Sequence, residues 1–458
     1  MTYAQIAEVQ RQFFAKGTTR TLEFRTQQLK TLKKAIRKYE DRILDALVKD
    51  FGKPREEGFS SEVGFLYEDI NHTIKNLKSW MKLQRVPSPL AVFPSKSWIQ
   101  KEPRGLSFII APWNYPFMLA MSPIVSAMAS GNTMVLKPSE LTFHTAATIE
   151  ELLTEHFPLE YLNVIQGEGS EVVPAFIDQA LPDHIFFTGS PRVGSLIGQQ
   201  AAKHLIPATL ELGGKSPAII GETANLEVAA KRLAFSKWLN AGQTCVAPDY
   251  VMIHQKVYDP FVKILKNTLE SFYGSDPITN ADIAHIINED RFKILSSYLL
   301  EGTVIHGGKT DTSQLKIEPT LLENMTSDAR VMEEEIFGPI LPLLKFSSAM
   351  EVVAKIEKHP NPLALYVYSE DAKEQRFYTQ NISFGGGAIN NGTVHLANRN
   401  LPFGGVKGSG MGNYHGKFGF DAFSHTKGIL KTATWTDPKL KYPPYTKLTM
   451  KILKKLFR

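Results

Sequence analysis

The stretch Leu106-Ser107-Phe108-Ile109-Ile110-Ala111-Pro112-Trp113-Asn114-Tyr115-Pro116 and its continuation to Lys137 decide the fold. Leu106 to Ile110 is an apolar run without polar alternation, the pattern of a strand buried on both faces. Pro116 to Ala129 is apolar over a helical length and is closed by Gly131-Asn132. Thr133 to Leu136 then reads as a second strand. The alternation continues with a helix over 143–155, a strand from Leu162 to Ile165, a helix over 170–178 and a strand from His184 to Phe187. Buried strands separated by helices of about 10–15 residues predict a parallel sheet. The architecture expected is α/β, a doubly wound nucleotide-binding fold.

On the N-terminal side, the first ~85 residues read as helices. Leu29, Leu32, Ile36, Leu44 and Leu47 fall on a helical stripe, and Lys53-Pro54 interrupts it. Residues 86–104 are rich in Pro and Ser and turn strand-like from Ser97 to Lys101, as an extended arm would. On the C-terminal side, a second α/β block runs from about 213 to 412, with strands near 250–254, 364–368 and 384–390. The tail after Asp437 is a separate piece. No internal repeat or low-complexity tract is visible.

A chain of 458 residues is too long for one simple core and implies two or three domains. Hydrophobic residues at 43% and charged residues at 21% give the balance of a soluble globular protein. No apolar run is long enough to span a membrane, and Met1 to Arg20 lacks the apolar core of a secretory signal. One cysteine excludes an intramolecular disulfide and any Cys-rich metal site, and suits a reducing compartment. The 12 histidines show no metal-ligand spacing. A net charge of +6 reads as a mildly basic enzyme rather than a nucleic-acid binder.

The lone cysteine, Cys245, by itself reads as a small buried hydrophobe. Its setting, Asn240-Ala241-Gly242-Gln243-Thr244-Cys245-Val246-Ala247-Pro248, is a loop after a helix-like run 228–239. A loop cysteine near helix ends can be accessible and activated as thiolate. Glu211, in Leu210-Glu211-Leu212-Gly213-Gly214, is either a solvated strand-edge carboxylate or a partly desolvated one raised toward general-base range. Asn114 follows a buried strand in an aromatic setting; by itself it reads as an amide in a strand–helix turn, and it is also a donor suited to a developing oxyanion. Lys137-Pro138-Ser139-Glu140 and Gly189-Ser190-Pro191-Arg192-Val193-Gly194 both join strand to helix. Ser190 suits an N-cap and Pro191 the first helical turn, which would aim a helix N-terminus at a phosphate.

Together these pieces, with Glu334-Glu335-Ile336-Phe337-Gly338-Pro339 and Pro402-Phe403-Gly404-Gly405-Val406, resemble the aldehyde dehydrogenase superfamily over nearly the whole chain. The compact length, Gly412-Asn413-Tyr414-His415-Gly416-Lys417 and Phe423-Ser424-His425 resemble its class 3, the fatty and aromatic aldehyde type, in bacterial form. The resemblance implies two Rossmann-like domains and a small β oligomerisation arm. The NAD(P)-binding domain would comprise 1–85 and 105–212, the catalytic domain 213–412, and the arm 86–104 and 413–437. It implies Cys245 as nucleophile, Glu211 as base for water, and Asn114 with the Cys245 N–H as oxyanion donors. It assigns Trp113, Lys137, Glu140, Gly189, Ser190, Val193, Gly194, Glu335 and Phe337 to NAD or NADP, with no metal. Trp113 and Tyr115 suggest an apolar entrance for medium- or long-chain or aromatic aldehydes, with Tyr115 toward substrate. A homodimer and a cytoplasmic location are expected with it.

Two other chemistries use the same thiolate. A CoA-acylating dehydrogenase would usually lack the base at Glu211, and a cysteine esterase would need no cofactor motifs. In the tail, 438–458, a helical projection sets Leu448, Met450, Ile452, Leu453, Leu456 and Phe457 against Lys447, Lys451, Lys454, Lys455 and Arg458. This helix either packs on the protein or its dimer mate, or makes a peripheral contact with an anionic membrane.

Overall fold

The computed structural model describes residues 1–326, 328–437 and 441–456. Strand Leu106–Ile110 lies inside a six-stranded sheet. Among the described residues its order is Gly410–Met411, Ala208–Leu212, His184–Gly189, Leu106–Ile110, Thr133–Lys137, Leu162–Val164. All strands are parallel except Gly410–Met411, which runs antiparallel against Ala208–Leu212. Ile110 is in register with both Lys137 and Phe187, so the strand ends that carry the motifs are aligned. Every residue of Leu106–Ile110 and Thr133–Lys137 is buried, which is why these strands lack polar alternation.

Helix Met118–Ser130 follows the central strand, is buried along its whole length, and ends at left-handed Gly131. It begins two residues later than the apolar pattern suggests. The N–H groups of Phe117 and Met118 are bound by Glu62 Oε2 at 2.9 and 3.2 Å, which fixes its start. Helix Leu22–Phe51 is capped by Thr21, stops at left-handed Gly52, and buries Leu29, Leu32, Ile36, Leu44 and Leu47. It packs against helix Phe143–His156 on the outside of the sheet.

A second sheet is ordered Thr303–His306, Thr320–Glu323, Ile340–Phe346, Tyr250–His254, Pro217–Ile220, Ala364–Tyr368, Gly386–Ile389. Only its first pair is antiparallel. The protein thus has two doubly wound α/β units. Of the other strands, Thr310–Asp311 pairs with Lys316–Ile317, and Gln84–Val86, Ser95–Pro103 and Ser424–Thr432 form an antiparallel arm in which residues 95–103 pair with 424–432 along their whole length. No described helix is long and apolar enough to cross a membrane.

Candidate active site

The loop carrying Cys245 is set by an unusual backbone. After helix Leu226–Trp238, Asn240, Ala241 and Gly242 all have positive φ, at 55°, 51° and 74°. At Gly242 a side chain is also excluded by space, since a Cβ would collide with the Gly338 carbonyl. The loop is then held on several sides. Asn240 Nδ2 donates to the Asn114 carbonyl at 2.8 Å, and Gln243 Nε2 donates to the His285 carbonyl at 2.9 Å. Tyr366 donates its hydroxyl to the Val246 carbonyl at 2.7 Å. Cys245 itself is free and half-buried.

Its electrostatics differ from the activated thiolate that the loop position suggested. Burial, then the fields of Glu335 and Glu211, push the thiol up to about 12. The N–H groups of Cys245 and Val246 oppose this by favouring the thiolate, but less strongly. Glu211 is 2% exposed, and neither carboxylate oxygen has a hydrogen-bond partner among the described residues. Its pKa is therefore raised well above the ordinary carboxylate value by burial alone. Glu335 is pushed up to about 8 by burial and by Asp249, against a backbone hydrogen bond from Gly214. The Glu335 carboxylate lies directly over Gly213, where a Cβ would strike Oε2.

Asn114 is buried, and its Nδ2 donates to the Gln243 carbonyl at 3.1 Å, leaving its second N–H for another acceptor. Tyr115, next in the turn, places its hydroxyl 2.7 Å from Thr244 Oγ1.

Two cavities meet at these residues. One is a cleft of about 990 Å³ lined by Trp113, Asn114, Gly189, Ser190, Glu335 and Phe337, together with Glu211 and Cys245. The other is a mainly apolar cavity of about 210 Å³ lined by Phe65, Tyr115, Met118, Phe235, Val394, Leu396 and Phe403. Cys245, Glu211, Thr188 and Leu212 line both. Of the two aromatics expected at an apolar entrance, only Tyr115 faces the apolar cavity. Trp113 faces the cleft and meets Phe337 edge-on, with ring centroids 5.3 Å apart.

The remaining expected residues spread along the sheet edge. Ser190 caps helix Pro191–Lys203 by accepting from Val193 N–H at 3.4 Å, with Pro191 in the first turn. Val193 and Gly194 do not line the cleft. Gly194 lets the helix approach Leu212, whose Cδ2 a Cβ would overlap. Lys137 and Glu140 pair with each other outside the cleft lining, and Glu140 Oε1 accepts from Gly169 N–H at 3.0 Å.

Several contributors lay outside the sequence reading. Lys215 Nζ binds Asp249 at 2.5 Å and the carbonyls of Val331 and Glu334 at 2.8 Å each, while Asp249 accepts from Ile336 N–H at 2.9 Å. These bonds fix the segment that presents Glu335 and Phe337. Lys53 and Glu62 form a buried pair behind Asn114. Their sequence neighbourhood shows only a helix break at Lys53-Pro54; the bonds that tie the pair to the turn around Asn114 span 55 to 61 positions.

Comparison with known proteins places nearly the whole chain in one family. The model of the aldehyde dehydrogenase family matches residues 3–429. The chain is 46% identical to 4,4'-diaponeurosporen-aldehyde dehydrogenase of Staphylococcus aureus, over 97% of each chain. It is 40% identical to aldehyde dehydrogenase family 3 member H1 of Arabidopsis thaliana, over 97% of this chain and 93% of that one. A solved structure of Staphylococcus aureus AldH in a substrate-bound state superposes with a TM-score of 0.95 at 45% identity, covering 99% of both chains. With two parallel-sheet units and this likeness to family 3 members over nearly its whole length, the chain belongs to the aldehyde dehydrogenase family.

Proposed function

We propose that the protein oxidises apolar aldehydes, medium- or long-chain aliphatic or aromatic, to carboxylic acids with NAD or NADP. The observation that carries this reading is that Cys245 and Glu211 line both cavities, so one sulfur can meet an apolar substrate from one side and a cofactor from the other. In this reading Cys245, Glu211 and Asn114 are catalytic, and Tyr115 lines the substrate side.

The residues at the cleft suit a dinucleotide. Its volume is within the range of cofactor pockets. The Ser190-capped helix end offers N–H groups suited to a pyrophosphate. The Glu335 carboxylate over Gly213 is an acceptor for ribose hydroxyls, and Phe337 and Trp113 offer apolar faces. Lys137 and Glu140 would serve the adenosine side, with Gly189, Val193 and Gly194 shaping the turn and helix beneath. A bound NAD(P)+ would supply the hydride acceptor.

The chain's own residues account for the rest. Cys245 Sγ attacks the carbonyl carbon, and its proton passes to Glu211, whose raised pKa makes it able to hold one. Asn114 Nδ2 and the Cys245 N–H stabilise the oxyanion of the thiohemiacetal. When the carbon has lost hydride, the C=O double bond re-forms and a thioester remains on Cys245. Glu211 then gives up the thiol's proton to solvent and, again a carboxylate, takes a proton from water as that water attacks the thioester; the adduct collapses, the sulfur leaves and regains that proton as thiol, and the acid is released. An unpartnered base beside the sulfur favours hydrolysis over transfer to CoA. Ester cleavage by the same thiol is a side activity of this reading.

The three-strand arm is assigned to a homodimer interface, dividing 1–85 and 105–212 from the catalytic 213–412, with 86–104 and 413–437 as arm. The tail helix Lys447–Leu456 is assigned to peripheral contact with an anionic membrane. Leu448 is 66% and Met450 55% exposed while Lys447, Lys451, Lys454 and Lys455 are also exposed. Phe457, Arg458 and the Leu456 side chain lie outside the described residues. The deciding experiment is an aldehyde chain-length panel with each cofactor and with CoA present or absent. Acid from apolar aldehydes, with Cys245→Ala inactive, is the expected result. Acyl-CoA as the main product, or NAD(P)H formation by Cys245→Ala, would overturn it.

A further inference from the structure

We infer that Lys53 and Glu62 are positioning residues that set the Asn114 amide from behind the site. The inference rests on the oxyanion reading of Asn114 given above. Neither residue lines either cavity. Both side chains are fully buried, with Lys53 Nζ paired to Glu62 Oε1 at 2.5 Å.

The pair grips the turn at both ends. Lys53 Nζ donates to the Asn114 carbonyl at 3.3 Å and stands 4.1 Å from the centroid of the Tyr115 ring. Glu62 Oε2 accepts from Phe117 N–H and Met118 N–H at 2.9 and 3.2 Å. The Asn114 carbonyl also receives Asn240 Nδ2 from the nucleophile loop. Two donors from two elements thus fix the orientation of the peptide that follows Asn114, and with it the backbone from which the amide projects.

Local structure aims both groups. Lys53 follows the left-handed Gly52 that ends helix Leu22–Phe51. Glu62 sits in a π-helical turn, Phe59–Val63, that leads into helix Gly64–Trp80. Stability alone is a weak account of such a pair, because burying two charges costs desolvation that apolar side chains of similar volume would avoid. Apolar side chains could not hold a carbonyl and two N–H groups in place. A shift on the order of 1 Å in a catalytic group can cost up to about 100-fold in rate, so precise placement has a large kinetic effect.

The test is a double-mutant cycle in the full-length enzyme, read as kcat and KM for aldehyde oxidation, with circular dichroism and unfolding midpoints as the check on folding. Lys53→Met is expected to lower kcat about 10- to 100-fold, with KM for the nicotinamide cofactor little changed. In an Asn114→Ala background the same substitution is expected to add no further loss. An unchanged kcat in folded Lys53→Met, or losses that add fully in the double variant, overturns the positioning role alone. An unchanged kcat in Asn114→Ala overturns the oxyanion reading beneath it. If Lys53→Met does not fold, the cycle is run with Lys53→Met/Glu62→Gln, which removes both charges. Low kcat in that folded variant, with no added loss over Asn114→Ala, supports the role. Recovery to full kcat shows that Lys53 merely neutralises Glu62 and overturns it.

Discussion

The hydroxyl of Tyr115 lies 2.7 Å from Thr244 Oγ1, joining the turn that carries Asn114 to the loop that carries Cys245. Both groups are buried, so removing one leaves the other without its partner. Tyr115→Phe is expected to cost about 1–3 kcal/mol of stability, the range for a buried polar group left unpaired. It keeps the ring that lines the apolar cavity, so KM for aldehyde should change less than kcat. Denaturant unfolding alongside steady-state kinetics checks both.

Asn114 donates one N–H to Gln243 and has a second to offer an oxyanion. Asn114→Ala is expected to lower kcat about 100- to 1000-fold, the usual effect of losing one oxyanion donor. Turnover on saturating aldehyde and cofactor is the measurement; a value near that of the unmodified enzyme would exclude the role.

Glu211 links activity to pH and pH to stability. In the proposed role of base for water it must be a carboxylate, so deacylation should rise with pH through its raised folded-state pKa, well above the ordinary 4.5. The stability effect has the opposite sense. In the window between the unfolded and folded pKa values the folded protein holds the proton and the unfolded chain does not. Stability therefore falls as pH rises through that window. Glu211→Gln removes the effect. It should match the unmodified protein near pH 4 and exceed it at higher pH, by about 1–3 kcal/mol if the buried charge behaves like other unpaired buried groups. The same variant should form its first equivalent of NAD(P)H slowly, because the thiol has lost its proton acceptor, and then stall as a thioester. Unfolding midpoints across pH and rapid-mixing absorbance read the two effects separately.

What was legible in the sequence follows from physics that is local. Strands such as Leu106–Ile110 and Thr133–Lys137 are buried on both faces and so are continuous apolar runs. Ser190-Pro191 carries its cap signal in adjacent residues. Asn114 and Glu211 lie at the carboxyl ends of buried strands, a place where parallel-sheet sites form, but their expected roles and that of Cys245 rest on the resemblance of the combined motifs to the aldehyde dehydrogenases, since each residue alone also fits a structural reading. The supports were not legible. Lys53 meets Asn114 across 61 positions, and Lys215 meets Val331 and Glu334 across 116 and 119. Nothing near them in sequence signals a buried lysine. The thiol's raised pKa was also hidden, because it arises from burial and from two carboxylates brought in by other elements.

Lys215 is the group that fixes the Glu335 segment, with three bonds of 2.5–2.8 Å to Asp249, Val331 and Glu334. Removing it leaves Asp249 buried without its charge partner. Lys215→Met is expected to cost about 3–5 kcal/mol, as for a broken buried ion pair. Because Glu335 and Phe337 face the cleft, KM for the cofactor should rise while binding of aldehyde in the apolar cavity is spared. Cofactor titration by fluorescence, compared with aldehyde KM, tells this apart from general loosening, which would raise both.

The tail gives a prediction independent of the chemistry. In helix Lys447–Leu456, Leu448 and Met450 are more than half exposed and Ile452 is 36% exposed, flanking a row of lysines. Each basic residue near an anionic bilayer surface contributes about 1 kcal/mol, and apolar side chains inserted at the interface add to it. A protein ending at Asp437 is expected to lose flotation with anionic liposomes while keeping turnover on a short water-soluble aldehyde. The full chain should bind anionic but not neutral vesicles, and release as salt is raised, because screening weakens the lysine attraction and leaves the apolar contribution alone insufficient. Equal binding by both proteins would assign the exposed face to the protein's own partner subunit instead, and the truncation would then shift the oligomeric state measured by light scattering.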